Sequence, residues 1–264
     1  MSARPTTAEE SPQEPEERPS AAGGKHMTIL EHLQELRRRL LVAGLAVVLS
    51  TGASFYFTKQ ILEFLKQPAE ERSSDFILIF TEPTEKLVAY FRVALLVGLA
   101  GAMPVIIYEA LMFVAPALTR QEKRWVYAVV LGATLAFAVG MAFAYYVALP
   151  PALGFLLNFG GGEVAKPQIK IGSYVDFVTR LLLWTGVVFE TPLVIMGVAR
   201  FGVITSRQLV RLWRYAIIGA FVVAAIVTPS VDPVTQSLVA GPLIALYVLG
   251  IILARLVEPR KART

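Results

Sequence analysis

WVYAVVLGATLAFAVGMAFAYYVAL, residues 125–149, contains no charged side chain. At about 1.5 Å of rise per residue such a run makes a helix of about 37 Å, long enough to cross the ~30 Å hydrocarbon core of a bilayer. A soluble core of this size would be patterned in short amphipathic stretches. Here apolar runs of roughly 18 to 25 residues recur between charged clusters. Working outward from residues 125–149, comparable runs lie at about 40–58, 86–113, 174–199, 213–228 and 236–254. Only a helix satisfies the backbone of a single segment within hydrocarbon. The sequence therefore predicts an all-α membrane protein with six transmembrane helices.

Composition agrees. Of 264 residues, 55% are hydrophobic and 17% charged, with a mean hydropathy of +0.59, which is the make-up of a chain solvated largely by lipid. The absence of cysteine excludes disulfides, thiolate nucleophiles and thiolate metal sites. The formal charge of +5 does not point to nucleic acid, because the basic residues sit between apolar runs and form no continuous basic face. Both histidines, His26 and His32, precede the first span, which leaves none in the membrane for metal ligation or base catalysis. No cofactor is expected, and no enzyme.

The chain divides at 1–25, a Glu-, Pro-, Ser- and Ala-rich tail expected to be disordered, 26–257, the six-helix domain, and 258–264, a short basic tail. A charged lead of nearly forty residues before the first apolar run is unlike a cleavable signal, so the first span is expected to stay in the mature protein. Lysines and arginines set the orientation. One side holds Lys25, Arg37, Arg38, Arg39, Arg120, Lys123, Arg124, Arg200, Arg207, Arg211, Arg214, Arg255, Arg260, Lys261 and Arg263. The other holds Lys59, Lys66, Arg72, Lys86, Lys166 and Lys170. The positive-inside bias puts the first set and both termini in the cytoplasm. The outer loops, about 59–85 and 150–173, are long and include Phe76-Ile77-Leu78-Ile79-Phe80, so a structured cap is expected there.

The fifth run, Trp213–Thr228, gives only about 24 Å of helix, and the sixth, between Gln236 and Arg255, is interrupted by Pro242. Two short helices would thin the bilayer around them. No solenoid repeat and no inverted pair of three-span halves is evident.

Four constellations carry candidate chemistry. In His32-Leu33-Gln34-Glu35-Leu36-Arg37-Arg38-Arg39-Leu40, Glu35 and Arg39 stand four apart and can pair. The loop after the second run, Phe113 to Arg124, contributes Glu122. Each acid has a plain reading, as a helix N-terminal charge or a solvated neighbour of basic residues. Both also lie at the cytoplasmic surface in a basic setting, where carboxylates can take guanidinium groups in paired, charge-assisted hydrogen bonds. Glu190, in Gly186-Val187-Val188-Phe189-Glu190-Thr191-Pro192, is an acid within the fourth run, which costs about 2.5 to 3.5 kcal/mol or more and points to function by default. Pro192 frees a carbonyl around Val188, so the helix is expected to bend beside Glu190 and present it on a concave face. In Thr228-Pro229-Ser230-Val231-Asp232-Pro233-Val234-Thr235-Gln236, Asp232 and Thr235 can cap the last helix. Arg92 and Arg180, near the outer ends of their spans, can snorkel.

With Pro104-Val105-Ile106-Ile107-Tyr108, Phe113-Val114-Ala115-Pro116-Ala117-Leu118 and Gly140-Met141-Ala142-Phe143-Ala144-Tyr145, these motifs make the chain resemble the TatC family of twin-arginine translocase subunits over roughly Thr28 to Arg255. The resemblance implies a receptor for twin-arginine signal peptides of folded precursors. It would work with single-span TatA- and TatB-type partners, driven by the protonmotive force and assembled as a homo-oligomer within the complex. It further implies signal-peptide contacts at Glu35, Arg37, Phe113, Glu122 and Arg124, and a polar partner contact at Glu190. Structural or partner-contact roles fall to Pro68, Pro104, Asp232 and Gln236. The chain differs from many relatives at Leu87-Val88, where they place two phenylalanines. A proton-coupled secondary transporter of a small solute, using Glu190 as its coupling acid, is the alternative. An interaction scaffold is a third reading.

Overall fold

The computed structural model describes residues 29–72, 77–114, 126–158, 168–228 and 232–258. Both tails lie outside that range, apart from Glu258. Helix α1 (Ile29–Phe55) leads into α2 (Thr58–Glu70), strand β1 (Ile77–Ile79) and α3 (Glu85–Val114). Helix α4 (Val126–Phe143) passes through a π-helical turn (Ala144–Ala148) into α5 (Leu149–Asn158). Strand β2 (Gln168–Lys170) precedes α6 (Ile171–Phe189) and α7 (Thr191–Arg200), and α8 (Ser206–Arg211), α9 (Trp213–Val227) and α10 (Pro233–Val257) complete the described chain. Five helical stretches are long and apolar enough to cross a membrane: Leu30–Phe55, Glu85–Phe113, Val126–Leu157, Ile171–Arg200 and Pro233–Val257. Helix α9 is the shorter sixth.

Apolar side chains face outward as well as inward. Leu131, Leu135 and Val139, each a turn apart on α4, are 63%, 57% and 57% exposed. Such a stripe in water would be a large liability, whereas in lipid it is the solvated face.

The spans pack through glycine. A Cβ added to Gly98 of α3 would lie 2.3–2.6 Å from Thr51 of α1, and one on Gly140 of α4 would lie 2.8–2.9 Å from Phe189 and Gly186 of α6. Small residues at these crossings let the backbones approach closely. The main buried cluster includes Leu65, Val93, Leu149, Val178, Leu181, Val227 and Ala240 and ties α2, α3, α5, α6, α9 and α10 together.

The expected cap is present. Strands β1 and β2 pair in parallel, Ile77 with Gln168, Leu78 with Ile169 and Ile79 with Lys170, linking the two long loops. Helix α2 packs beneath, with Thr58, Leu62, Leu65, Pro68 and Ala69 buried. Pro68 has no N–H for the carbonyl of Phe64, four residues back, and the hydroxyl of Tyr145 donates to that carbonyl at 2.7 Å. The Tyr174 hydroxyl donates to the Leu65 carbonyl at 2.6 Å. Two tyrosines from α4/α5 and α6 thus hold α2 by its backbone. Arg92 and Arg180 do more than snorkel, since both donate to Asp176, Arg92 at 2.7 Å and Arg180 at 3.0 Å.

The fifth helix is short as expected, at 15 residues or about 22 Å. The sixth is not. Helix α10 runs for 25 residues, about 37 Å, with Pro242 inside it. Asp232 starts it early by accepting from the Thr235 N–H at 2.6 Å, Pro233 suits the first turn, and one interior proline removes a single backbone bond without ending a helix packed on α7 and α9. Among the six spans α9 is therefore the one shorter than a ~30 Å hydrocarbon core.

Candidate functional site

One end of α1 lies against the end of α3. Arg39, one turn after Glu35, donates to Glu35 Oε1 through Nε at 3.0 Å and also through Nη2, and its Nη1 donates to Glu109 Oε2 at 2.9 Å. The three side chains are 15–19% exposed. The trio of two carboxylates and one guanidinium carries one excess negative charge. Glu35 Oε2 is buried with no hydrogen-bond partner among the described residues, a costly arrangement for a carboxylate oxygen.

Aromatic contacts frame this end. His32 stacks on Phe113 with ring centroids 4.3 Å apart and planes 20° apart, and Tyr108 stacks on Tyr127 at 6.2 Å. Both contacts flank the connection between α3 and α4. Arg37 and Arg38 are exposed on α1. Glu122 and Arg124 lie outside the described residues. The structure thus brings Glu35 and Phe113 to one end, with Arg37 on the same helix as Glu35.

Glu109 was missed by sequence reasoning, which stopped one residue short, at Tyr108. The available signal was an acid inside an apolar run, which requires a partner. Arg39 is that partner.

Glu190 sits where α6 ends and α7 begins. Its N–H donates to the Val187 carbonyl at 3.1 Å, a tight turn, and Val194 N–H donates to its carbonyl at 2.9 Å. The interruption beside Pro192 matches the expected bend. Glu190 Oε1 and Thr185 Oγ1 are buried without hydrogen-bond partners among the described residues. Next to this break an open recess of about 460 Å³ is lined by Phe143, Phe189, Gly241, Pro242, Ala245, Leu246 and Leu249. It is wholly apolar in side chains, a groove suited to another helix rather than to a polar solute.

The remaining predicted positions are spread along the molecule. Pro68 is buried in α2 and Pro104 is half-buried within α3. Asp232 caps α10, and Gln236 donates through Nε2 to the Phe221 carbonyl at 3.0 Å, tying α10 to α9. No group of three or more His, Cys, Asp or Glu that could hold a metal occurs among the described residues.

Comparison with known proteins places this architecture. Residues 31–242 match the family model described as Sec-independent protein translocase protein (TatC). The chain is 40% identical over 236 residues to the TatC protein of Aquifex aeolicus, covering 89% of this chain and 98% of that one. It is 40% identical over 226 residues to the chloroplastic TATC of Arabidopsis thaliana, covering 86% of this chain and 66% of that longer protein. A crystal structure described as the twin-arginine translocase receptor TatC is similar with a TM-score of 0.78 at 40% identity, covering 86% of this chain and 99% of that one. A multispanning helical protein with this sequence and fold belongs to the TatC family of Sec-independent protein translocase proteins.

Proposed function

We propose that this chain is the signal-peptide receptor and core subunit of a twin-arginine translocase, taking the paired arginines of a leader at the α1–α3 end. The observation that carries the reading is the Glu35–Arg39–Glu109 trio, which has one carboxylate more than it has guanidinium groups and a buried, unbonded oxygen on Glu35. An arriving arginine supplies the missing charge and donors in the planar geometry a carboxylate accepts best. Glu122, on the neighbouring connection, is the second acid, so that two separated carboxylates read two arginines. Arg37, Phe113 and Arg124 are assigned to the same recognition surface.

With this end cytoplasmic, as the excess of basic residues there favours, both termini are inside and the membrane is the inner membrane of a prokaryote. The apolar part of the leader then follows the bundle toward Glu190. The apolar recess beside Glu190 supports docking of single-span TatA- and TatB-type helices, with the Glu190 carboxyl as their polar contact. Six helices cannot enclose a pore for a folded cargo, so passage requires further copies and partners, with energy from the protonmotive force.

The test is binding of a twin-arginine peptide to Glu35→Ala and Glu122→Ala variants of the full chain in lipid nanodiscs. Each is expected to weaken binding at least tenfold, as loss of a charged hydrogen bond does. Unchanged affinity in both would remove the assignment.

A further inference from the structure

A second, smaller cluster of buried side chains gathers α7, α8 and α10. Ala199, Leu209, Ile251 and Ala254 are buried together, with Ile195, Ile204 and Tyr247 against them. Polar contacts from α10 and from Glu258 hold α8 on it. The Tyr247 hydroxyl donates to the Leu209 carbonyl at 2.7 Å. Ser206 donates to Glu258 through Oγ at 2.7 Å and through its N–H at 3.3 Å. Thr205 and Gln208 form a reciprocal capping box.

This anchored corner displays arginine. Arg207 and Arg211 stand four apart on α8, Arg214 opens α9, and Arg255 follows buried Ala254, all four exposed. Across residues 191–258 the acids are Asp232 and Glu258. Asp232 begins α10, about 35 Å of helix from Arg255, and Glu258 is engaged by Ser206. The arginines thus have no carboxylate partner among the described residues of their own elements. Exposed apolar groups are interleaved with them: Val203 is 75% exposed and Leu256 77%, with Val210 and Trp213 also exposed. An acidic soluble protein would leave those groups in contact with water or unmatched charge. A membrane interface takes both, phosphate on the arginines and acyl boundary on the apolar groups.

We infer that the α8 corner, centred on Arg207, Arg211 and Arg214, is a binding site for the headgroup of an anionic phospholipid. Its place at the start of the 15-residue α9 gives it a mechanical consequence. A headgroup held there draws that leaflet toward the short helix and fixes a thinned patch next to α9. The inference is independent of how the signal peptide is bound.

The experiment uses the full chain, delipidated in a neutral detergent, with lipid retention measured by native mass spectrometry. Phosphatidylglycerol is compared with phosphatidylcholine for the wild type, R207Q/R211Q/R214Q, R207K/R211K/R214K and the opposite-end control K59Q/K66Q. The wild type and the control are expected to favour phosphatidylglycerol. The glutamine triple should lose about a hundredfold in its affinity, at roughly fivefold per arginine, while the lysine triple stays within about tenfold of wild type. Equal retention of the two lipids by the wild type overturns the inference, as does undiminished phosphatidylglycerol binding by the glutamine triple. A lysine triple as weak as the glutamine triple removes the charge-based account. Displacement of the lipid by equimolar polyglutamate overturns the lipid assignment in favour of an acidic protein partner.

Discussion

Replacing Tyr145 by Phe tests how the cap is held to the bundle. The Tyr145 ring stacks on Phe64 with centroids 4.3 Å apart, and phenylalanine preserves that contact. What disappears is the hydroxyl donor, 2.7 Å from the Phe64 carbonyl, which Pro68 cannot serve because it lacks an N–H. Tyr145 is 6% exposed, so the acceptor is left in a largely dry setting, at a cost of about 1–3 kcal/mol. Pro68→Ala offers the missing N–H from within α2. In that background Tyr145→Phe should cost about 0.5 kcal/mol or less, giving a coupling of about 0.5 kcal/mol or more. The assay is reversible unfolding in mixed micelles on the wild type, both single variants and the double variant. Equal costs of Tyr145→Phe in the two backgrounds would refute the idea that the tyrosine replaces a proline-deleted bond.

Three further outcomes follow from the packing and the caps. Gly140→Ala should destabilise by about 1–3 kcal/mol, because its Cβ would overlap Phe189 and Gly186, whereas Gly132→Ala on the same helix meets nothing within 4 Å and should be neutral or slightly stabilising. The same unfolding assay ranks the two, and a reversed order contradicts the crossing geometry. Asp232→Ala removes the bond to the Thr235 N–H and should cost about 1 kcal/mol, with early hydrogen exchange at the first turn of α10 as its local signature. Glu190→Ala should lower co-purification of single-span partner subunits while the protein still inserts in the membrane. Full recovery of partners would make Glu190 a structural acid only.

The six spans could be read from the sequence because lipid demands long uninterrupted apolar runs, and residues 125–149 meet that demand without tertiary information. The break at Glu190 was legible for the same local reason, a proline two residues on. Glu35 and Arg39 were legible as neighbours on one helix turn. Their third member was not, since Glu109 reaches Arg39 only after α1 and α3 pack at the Gly98–Thr51 crossing, and nothing local reports that approach. The pairing of β1 with β2 has the same character, joining residue 77 to residue 168 across two spans. Pro68 had a structural role by resemblance, yet nothing local could say that Tyr145 would serve the Phe64 carbonyl it leaves free. Pro242 was misread as an interruption because a proline inside a long membrane helix is tolerated where packing holds both sides of it, and packing is invisible in sequence.

The receptor claim meets its most direct test in the affinity of one leader peptide for the full chain in nanodiscs, measured with both arginines present and again with both replaced by uncharged citrulline. If acids at the α1–α3 end receive guanidinium charge, the citrulline form should bind on the order of a hundredfold more weakly or worse, from the loss of two charge-assisted contacts. Affinities of the two forms within about twofold of each other would contradict the account.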